Sequence, residues 1–227
     1  DYQRTDIELL GAESNWGAQS RRRDTREVLL KIAVHHADKR ALEIFSRECI
    51  PAATAMAQGL TGFAGGRPTP APLVRLWSCL VAKDAVPILI DGEPYASPLA
   101  ASAESANATA VAVTDAPLPA GPTHRVRLID LAYGRSGDKG DSANIGVLAR
   151  RPEFVPVLRA QLTAAAVKDW FAHFVAGDVE RYEWPGLHGF NFLMQGALGG
   201  GGIASLRHDP QGKMLAQILM DFPLDVP

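Results

Sequence analysis

The sequence predicts an α+β protein in which helices pack on one face of a mainly antiparallel sheet. Apolar residues alternate through Val28, Leu30, Ile32 and Val34, which is the period of a strand buried on at least one face. Helical spacing follows, and the order strand, strand, helix, strand, strand appears in both halves of the chain. Because the halves share element order and not residue identity, the pattern gives little support to an internal duplication.

The composition excludes several classes of protein. A chain of 227 residues with a net charge of -2 can bury a substantial core, and we expect two domains. The dense basic run at 21–23 is too short for the phosphate footprint of a nucleic-acid-binding protein. Cys49 and Cys79 are too few for a disulfide framework, and no stretch approaches the roughly 20 apolar residues of a membrane span. We therefore predict a cytoplasmic protein without nucleic-acid or membrane partners.

A change in composition divides the chain. Residues 95–123 are rich in Ala, Ser, Thr and Pro, a composition typical of linkers. The linker separates an N-terminal region, 1–94, from a C-terminal region, 124–227.

In the N-terminal region we predict a strand over 26–35 and then a helix capped by Asp38 that ends near Gly59. Pro51 should kink this helix or end it early. After a loop over 62–72, the apolar segments 73–82 and 86–90 are predicted strands.

In the C-terminal region the pattern predicts a longer series of elements. In chain order these are a strand over 125–131, a polar loop over 134–141, a strand with Ile145 and Val147, a helix from Pro152 to Gly177, and a strand over 178–184. A strand beginning near Ile203, a turn over 208–212 and a last strand over 214–222 follow, the last two strands forming a hairpin.

The segment Arg135-Ser-Gly-Asp-Lys-Gly-Asp141, followed by Ser142 and Asn144, has the residues of an anion-binding loop. Gly137 and Gly140 permit backbone angles that turn successive N–H groups toward one point, and Arg135 and Lys139 add positive charge. Asp138 and Asp141 either position these cations or include a general base. A salt-bridged turn explains the same composition equally well.

Four adjacent glycines, 199–202, form a second candidate. Such a run predicts either contact with a ligand or close approach of another chain segment. A dinucleotide site is excluded because no helix is expected to follow the run directly.

His188 is a third candidate, in the bent segment that ends at Asn191. It is a candidate general acid or base, although a histidine in such a turn more often only forms local hydrogen bonds. The remaining histidines lack the spacing of a metal site, and we predict neither a metal nor a cofactor.

Several motifs, in order, resemble the C-terminal ferredoxin-fold domain of the acyclic terpene utilisation (AtuA-like) proteins. These are Arg135-Ser-Gly-Asp-Lys-Gly-Asp141 with Asn144-Ile-Gly-Val147, Tyr182-Glu-Trp-Pro-Gly-Leu-His188 with Asn191-Phe192, Gly196-Ala-Leu-Gly-Gly-Gly-Gly202, and Asp209-Pro-Gln-Gly-Lys213. Thr61-Gly-Phe-Ala-Gly-Gly-Arg-Pro68 with Val74-Arg-Leu-Trp77 is similar to the end of that family's larger domain. The resemblance implies a ferredoxin-like sheet preceded by the α/β tail of a larger domain, whose Gly-rich first portion has no counterpart here.

The resemblance also implies a bacterial catabolic role. We expect part of an enzyme, or an enzyme subunit, that acts on a branched-chain acyl-CoA or carboxylate in a lyase or hydratase type of step, with a CoA thioester as candidate substrate. In that hypothesis Lys139, Asp138 or His188 serves catalysis. Binding would involve Arg135, Ser136, Gly137, Gly140, Asp141, Asn144, Asn191, Gly199, Gly200, Gly201 and Gly202. The rival hypotheses are a non-catalytic oligomerisation module and a module that binds an anionic metabolite. A homo-oligomer, or a complex with a chain that supplies the missing portion, is expected.

Overall fold

The computed structural model describes residues 1–62, 66–82, 85–95 and 121–227, so most of the linker expected over 95–123 lies outside the described residues. The strands are β1 Arg4–Leu10, β2 Leu29–His35, β3 Leu89–Ile90, β4 Glu93–Pro94, β5 His124–Arg127, β6 Ala132–Lys139, β7 Ser142–Ala149, β8 Val179–Trp184, β9 Gly189–Met194 and β10 Pro223–Val226. The α-helices are α1 Lys39–Ala55, α2 Leu128–Leu131, α3 Val155–Gln161, α4 Ala164–Trp170 and α5 Leu215–Leu219.

The C-terminal region is built on a four-stranded sheet in the order β6-β7-β9-β8, with every neighbouring pair antiparallel. Alternate residues of the central strands, Ile145 and Val147 in β7 and Phe190 and Phe192 in β9, are fully buried. They pack with residues of α3, α4 and α5 in one apolar core on the same side of the sheet. Burial of each such large side chain stabilises the fold by roughly 1.5–3 kcal/mol. The α+β prediction is confirmed. Among the described residues, no helix packs on the other face of the sheet, the free face.

The N-terminal region begins with the β1–β2 hairpin, followed by α1. The predicted strand over 26–35 is confirmed as β2, whereas β1 was not predicted. Asp38 caps α1, because its Oδ1 atom accepts a hydrogen bond of 2.9 Å from the Arg40 amide. Pro51 lies inside the helix, which ends four residues later at Ala55.

The hairpin packs against the C-terminal region through its polar face. Glu8, which is 6% exposed, forms an ion pair of 2.6 Å with Lys31 on the neighbouring strand. Lys31 also donates a hydrogen bond to the Leu206 carbonyl. On the opposite face, Ile7 is 61% exposed and its cross-strand partner Ile32 is 39% exposed. The usual arrangement of an apolar face inward is therefore reversed in this hairpin.

The short 3-10 helix Ser14–Gln19 fastens the N-terminal region to α4. The His173 Nε2 atom lies 2.9 Å from the Asn15 carbonyl oxygen, and Gln19 donates a hydrogen bond to the Trp170 carbonyl. A Cβ on Gly17 would lie 2.7 Å from the His173 ring, so only glycine permits this close approach. The two regions share one packed interface as a result.

Three predictions within the C-terminal region were wrong in part. The strand expected over 125–131 ends at Arg127, where α2 begins. The polar segment 134–141 is mainly the edge strand β6, because its residues pair with β7 from Ala132 to Lys139 and polar composition is common at sheet edges. The expected long helix divides at Leu162, whose ψ of 66° is not helical, and Thr163 caps the new helix α4.

The predicted strand over 214–222 is wrong, since the segment contains α5. Its apolar residues fit a period of two, but the buried set Leu215, Ala216, Ile218 and Leu219 has helical spacing. The strand expected near Ile203 is the 3-10 helix Gly202–Ala204, so the predicted hairpin does not form.

In the N-terminal region the apolar segment 73–82 contains no strand in the described residues. The segment 86–90 contributes only β3. These side chains are largely exposed, so burial does not impose a strand on them.

Candidate functional site

The free face of the four-stranded sheet carries four of the polar residues that the sequence singled out. Strand alternation and pairing place on this face Tyr133, Arg135, Gly137, Lys139, Asn144, Gly146, Leu148, Glu180, Tyr182, Trp184, Gly189, Asn191 and Leu193. The Trp184 ring lies across Gly146, where a Cβ would come within 3.1 Å of the indole. Arg135, Lys139, Asn144 and Asn191, which were predicted to act together, therefore share one surface.

A line of hydrogen bonds crosses three strands of this face. The Lys139 Nζ atom donates to Asn144 Oδ1 at 3.1 Å, and Asn144 Nδ2 donates to Asn191 Oδ1 at 2.9 Å. The Asn191 Nδ2 donor forms no hydrogen bond within the described parts of the chain. Because each amide is fixed by its neighbour, the line has a positive charge at Lys139 and an N–H donor of Asn191 at its other end.

Three cationic residues lie near Gly137. Arg135 and Lys139 lie two residues away from it on the same face of β6, and the Lys213 Nζ atom lies 3.2 Å from the position of a Gly137 Cβ. We refer to Arg135, Lys139 and Lys213 as the cationic cluster. None of the three forms an ion pair with a described carboxylate. Unpaired cations beside amide donors suit a carboxylate or phosphate ligand.

Lys213 was not among the predicted site residues. It lies in the segment that joins the turn at 208–212 to α5, and its carbonyl oxygen accepts a hydrogen bond of 3.0 Å from the Ser136 hydroxyl. The only sequence signal was its place in the motif Asp209-Pro-Gln-Gly-Lys213, which carries no information about a partner on β6. Packing of α5 on the sheet brings the Lys213 side chain close to Gly137.

Ser136 faces the helices and not the free face of the sheet. Besides its bond to the Lys213 carbonyl, its hydroxyl accepts a hydrogen bond of 2.9 Å from the Ala216 amide. It thus joins β6 to the start of α5.

The glycine run packs against the turn between β6 and β7. Asp141 Oδ1 accepts a hydrogen bond of 2.5 Å from the Gly200 amide, and the Asp141 carbonyl accepts one of 3.0 Å from Leu198. A Cβ on Gly201 would lie 2.0 Å from the Gly140 carbonyl oxygen. At Gly201 the glycine run therefore allows the close approach of another chain segment, which was one of its two interpretations.

A pocket of about 290 Å³ lies beside the same turn. It is lined by Asp138, Gly140, the glycines 200–202 and Ile203, and by Val74, Arg75 and Leu76 of the N-terminal region. Asp138 therefore faces a different space from Lys139, although the two are adjacent in sequence.

A larger cleft, of about 630 Å³, opens between the Ser14–Gln19 helix and the edge of the sheet. Arg135 and Lys213 of the cationic cluster line it. The cluster thus joins the free face of the sheet to this cleft.

His188 lies at the far end of the sheet. Asn144 pairs with Leu193 of β9, whereas the His188 carbonyl accepts a hydrogen bond from Ala149 at the other end of β7. At about 3.3 Å per residue, this offset places His188 roughly 16 Å from Asn144. Its backbone is in the left-handed region with φ of 51°, and its side chain is exposed. The three predicted catalytic residues do not converge on one point.

Buried charges occupy the interface between the hairpin and the glycine run. Burial raises the pKa of the Asp6 carboxyl, and the nearby Glu8 charge adds to the rise. The Asp6 Oδ1 atom is buried without a hydrogen-bond partner. Burial lowers the pKa of Arg207, which donates to the Phe174 carbonyl at 3.2 Å and also to that of Ala197. The described residues contain no group of three or more His, Cys, Asp or Glu side chains arranged to hold a metal ion.

Comparison with known proteins identifies the two regions. Residues 126–225 match the model of the AtuA ferredoxin-like domain, and residues 1–91 match that of the acyclic terpene utilisation family protein AtuA. Neither the curated proteins nor the solved structures gave a match. Within the described ranges, no helix has the length and apolar character needed to span a membrane. Since the two family models together span most of the sequence and match in the expected order, the chain belongs to the acyclic terpene utilisation (AtuA-like) family and contains its ferredoxin-like domain.

Proposed function

We propose that the chain is the substrate-binding part of a bacterial catabolic enzyme, and that its cationic cluster holds a carboxylate or phosphate group of the substrate. The observation that carries this proposal is the convergence of Arg135, Lys139 and Lys213 around Gly137 without a carboxylate partner among the described residues. Membership of the acyclic terpene utilisation family supports a branched-chain carboxylate or its CoA thioester as the substrate.

The electrostatics favour an anion at this position. Three like charges close together repel one another, and an anion between them replaces that repulsion with attraction. Hydrogen bonds to charged groups contribute about 1.5–3 kcal/mol each, more than neutral ones. The ordered Asn144 and Asn191 amides add donors whose positions are fixed before the ligand binds. A singly charged carboxylate therefore suffices for binding, and a phosphate of CoA binds more strongly.

For the reaction we propose a lyase or hydratase step, in which Lys139 or Asp138 moves a proton. Lys139 lies at the cationic cluster, and Asp138 lies at the mouth of the neighbouring pocket of about 290 Å³. A proton transfer requires donor and acceptor within hydrogen-bond distance of each other, or joined by one water. His188, at the far end of the sheet, cannot meet this condition at the same reacting atom as Lys139. We propose a CoA thioester as the substrate of this step and no cofactor.

Calorimetric titration tests the proposal. Inorganic phosphate, free CoA, isovalerate and isovaleryl-CoA are titrated into the wild-type chain, into Lys139→Ala and into Lys168→Ala. Lys168 is the matched control because it is also an exposed lysine of this domain, but it is paired with Asp178 on the helical side of the sheet. We expect saturable binding that Lys139→Ala weakens by about tenfold and Lys168→Ala leaves unchanged. Equal loss in both variants, or no binding of any probe, would contradict the proposal.

A second candidate function is oligomerisation, which the outer face of the hairpin favours. Ile7, Leu9, Leu30 and Ile32 lie on this face and are each at least 39% exposed. Such a patch is typical of a surface that another chain covers, either a second copy or a different protein. Sedimentation of the wild type and of Ile32→Glu distinguishes the two functions. If assembly is the only function, Ile32→Glu dissociates the oligomer and no anion binds.

A further inference from the structure

The cleft of about 630 Å³ is formed by both regions of the chain. Glu13 and Trp16 come from the N-terminal region, and the rest of its lining comes from the ferredoxin-like domain. Trp16 also packs against the apolar core, so its position is fixed. The ferredoxin-like domain alone would present only one wall.

The carboxylates that line this cleft are already engaged. Glu13 Oε2 accepts hydrogen bonds from the amides of Arg21 at 2.7 Å and Arg22 at 3.1 Å. Asp221 pairs with the side chains of Arg21 at 3.1 Å and Arg127 at 3.3 Å. These contacts leave the charges of Arg135 and Lys213 without an ion-pair partner among the described residues. The uncompensated charge of the cleft is therefore positive.

Between these charges the cleft has an apolar lining. Trp16, Ile129, Ala216 and Met220 contribute to it. Ile129 is 41% exposed, and the Met220 Cε atom would lie only 2.6 Å from a Cβ on Gly134. The absence of a side chain at Gly134 lets the Met220 methyl lie against the strand. An apolar ligand chain placed here would be removed from water, which is favourable in proportion to the area covered.

We infer that this cleft binds the apolar chain of a carboxylate whose charged end is held by Arg135 and Lys213. This inference rests on the proposed function and specifies its substrate class as monocarboxylate anions with an apolar chain. Gln217 is an exposed residue of α5 that lines the cleft, and its side chain forms no hydrogen bond with the described chain. A larger side chain at this position closes the cleft without disturbing the core.

Acetate, butanoate, hexanoate, octanoate and inorganic phosphate serve as probes in calorimetric titrations of the complete chain. Wild type and Gln217→Ala should show affinity that rises by about two- to fourfold for each added methylene. Gln217→Trp should bind phosphate and acetate as the wild type does but show no gain with chain length. Thermal melting checks that both variants are folded.

The outcomes separate this inference from the proposed function. Phosphate binding with no dependence on chain length in the wild type overturns the inference and leaves the proposed function standing. A chain-length dependence that persists in Gln217→Trp also overturns it, because the apolar chain then lies elsewhere. Failure of every probe, phosphate included, overturns both.

Discussion

The Nζ atom of Lys213 lies 3.2 Å from the point where a side chain on Gly137 would begin. Lys213 precedes α5 and Gly137 lies in β6, so the cationic cluster depends on the packing of that helix against the sheet edge. Ser136 fixes this packing, since its hydroxyl bonds both the Lys213 carbonyl and the Ala216 amide. Substitutions that displace the Lys213 ammonium should therefore alter anion binding more than stability.

Gly137→Ala tests that relationship. Gly137 does not have a positive φ, and within 4 Å its new methyl would meet only the flexible end of Lys213 among the described residues. We expect the free energy of unfolding to change by no more than about 0.5 kcal/mol, whereas phosphate affinity falls several-fold because the ammonium moves away. Thermal denaturation and calorimetry measure the two quantities. Unchanged phosphate affinity would show that Lys213 does not contribute.

Gly201→Ala, in contrast, should lower the stability of the fold. Its φ is +68°, and its Cβ would lie 2.0 Å from the Gly140 carbonyl oxygen, a backbone atom that cannot move independently. We expect a loss of at least about 2 kcal/mol of stability from backbone strain and steric conflict. Urea denaturation measures it, with Gly202→Ala as a control, because a Cβ there meets nothing within 4 Å although its φ is also positive. Equal losses in both variants would mean that the contact with Gly140 is unimportant.

Asp6→Asn should make stability less dependent on pH. Burial raises the folded-state pKa of Asp6, with Glu8 adding to the rise and Lys31 and Arg207 opposing it. Folding therefore favours the protonated form of Asp6, whose contribution to stability is complete below the usual carboxyl range. That contribution is lost as pH rises through the raised pKa.

Asparagine remains neutral throughout, and its amide can donate to Glu8, so the variant should gain about 1 kcal/mol near neutral pH. The gain should disappear in acid, below the ordinary pKa of an aspartate. Urea denaturation at several pH values measures the difference. A variant that is less stable than the wild type at neutral pH would mean that the Asp6 charge is favourable to the interface.

His188→Ala should leave anion binding unchanged. The side chain is exposed at the far end of the sheet, away from the Lys139–Asn144–Asn191 line. Its positive φ of 51° means that alanine carries a small strain already present in the wild type. Calorimetry with phosphate and CoA should give wild-type affinities. A marked loss with both probes would place His188 in the anion site.

The sequence predicted the parts of the fold in which one period was unambiguous. The alternation in β2 and the capping by Asp38 identified a strand and a helix, because in each case a local pattern matched a local structure. The prediction for the segment 214–222 failed because its apolar residues fit both the strand period and the helix period. Only burial against the sheet favours the helix. The prediction of a loop over 134–141 failed because pairing with β7 outweighs a composition typical of turns.

Several residues of the candidate site could also be predicted from the sequence, but their spatial arrangement could not. Arg135, Lys139, Asn144 and Asn191 were grouped by residue type, and strand pairing places them on one face. Lys213 could not be found, since its contact with Gly137 depends on the position of α5. Sequence proximity likewise suggested that Asp138 and Lys139 share a site, whereas alternation along an edge strand turns neighbouring side chains to opposite sides.

The most direct test of the cationic cluster is a titration of the isotope-labelled chain with inorganic phosphate, followed by amide resonances in two-dimensional NMR spectra. We predict saturable shifts of the Asn144 and Asn191 side-chain amides and of the Gly137 backbone amide, all lost in Lys139→Ala. Shifts confined to the glycine run at 199–202 or to the basic segment at 21–23, with those three signals unmoved, would contradict the account.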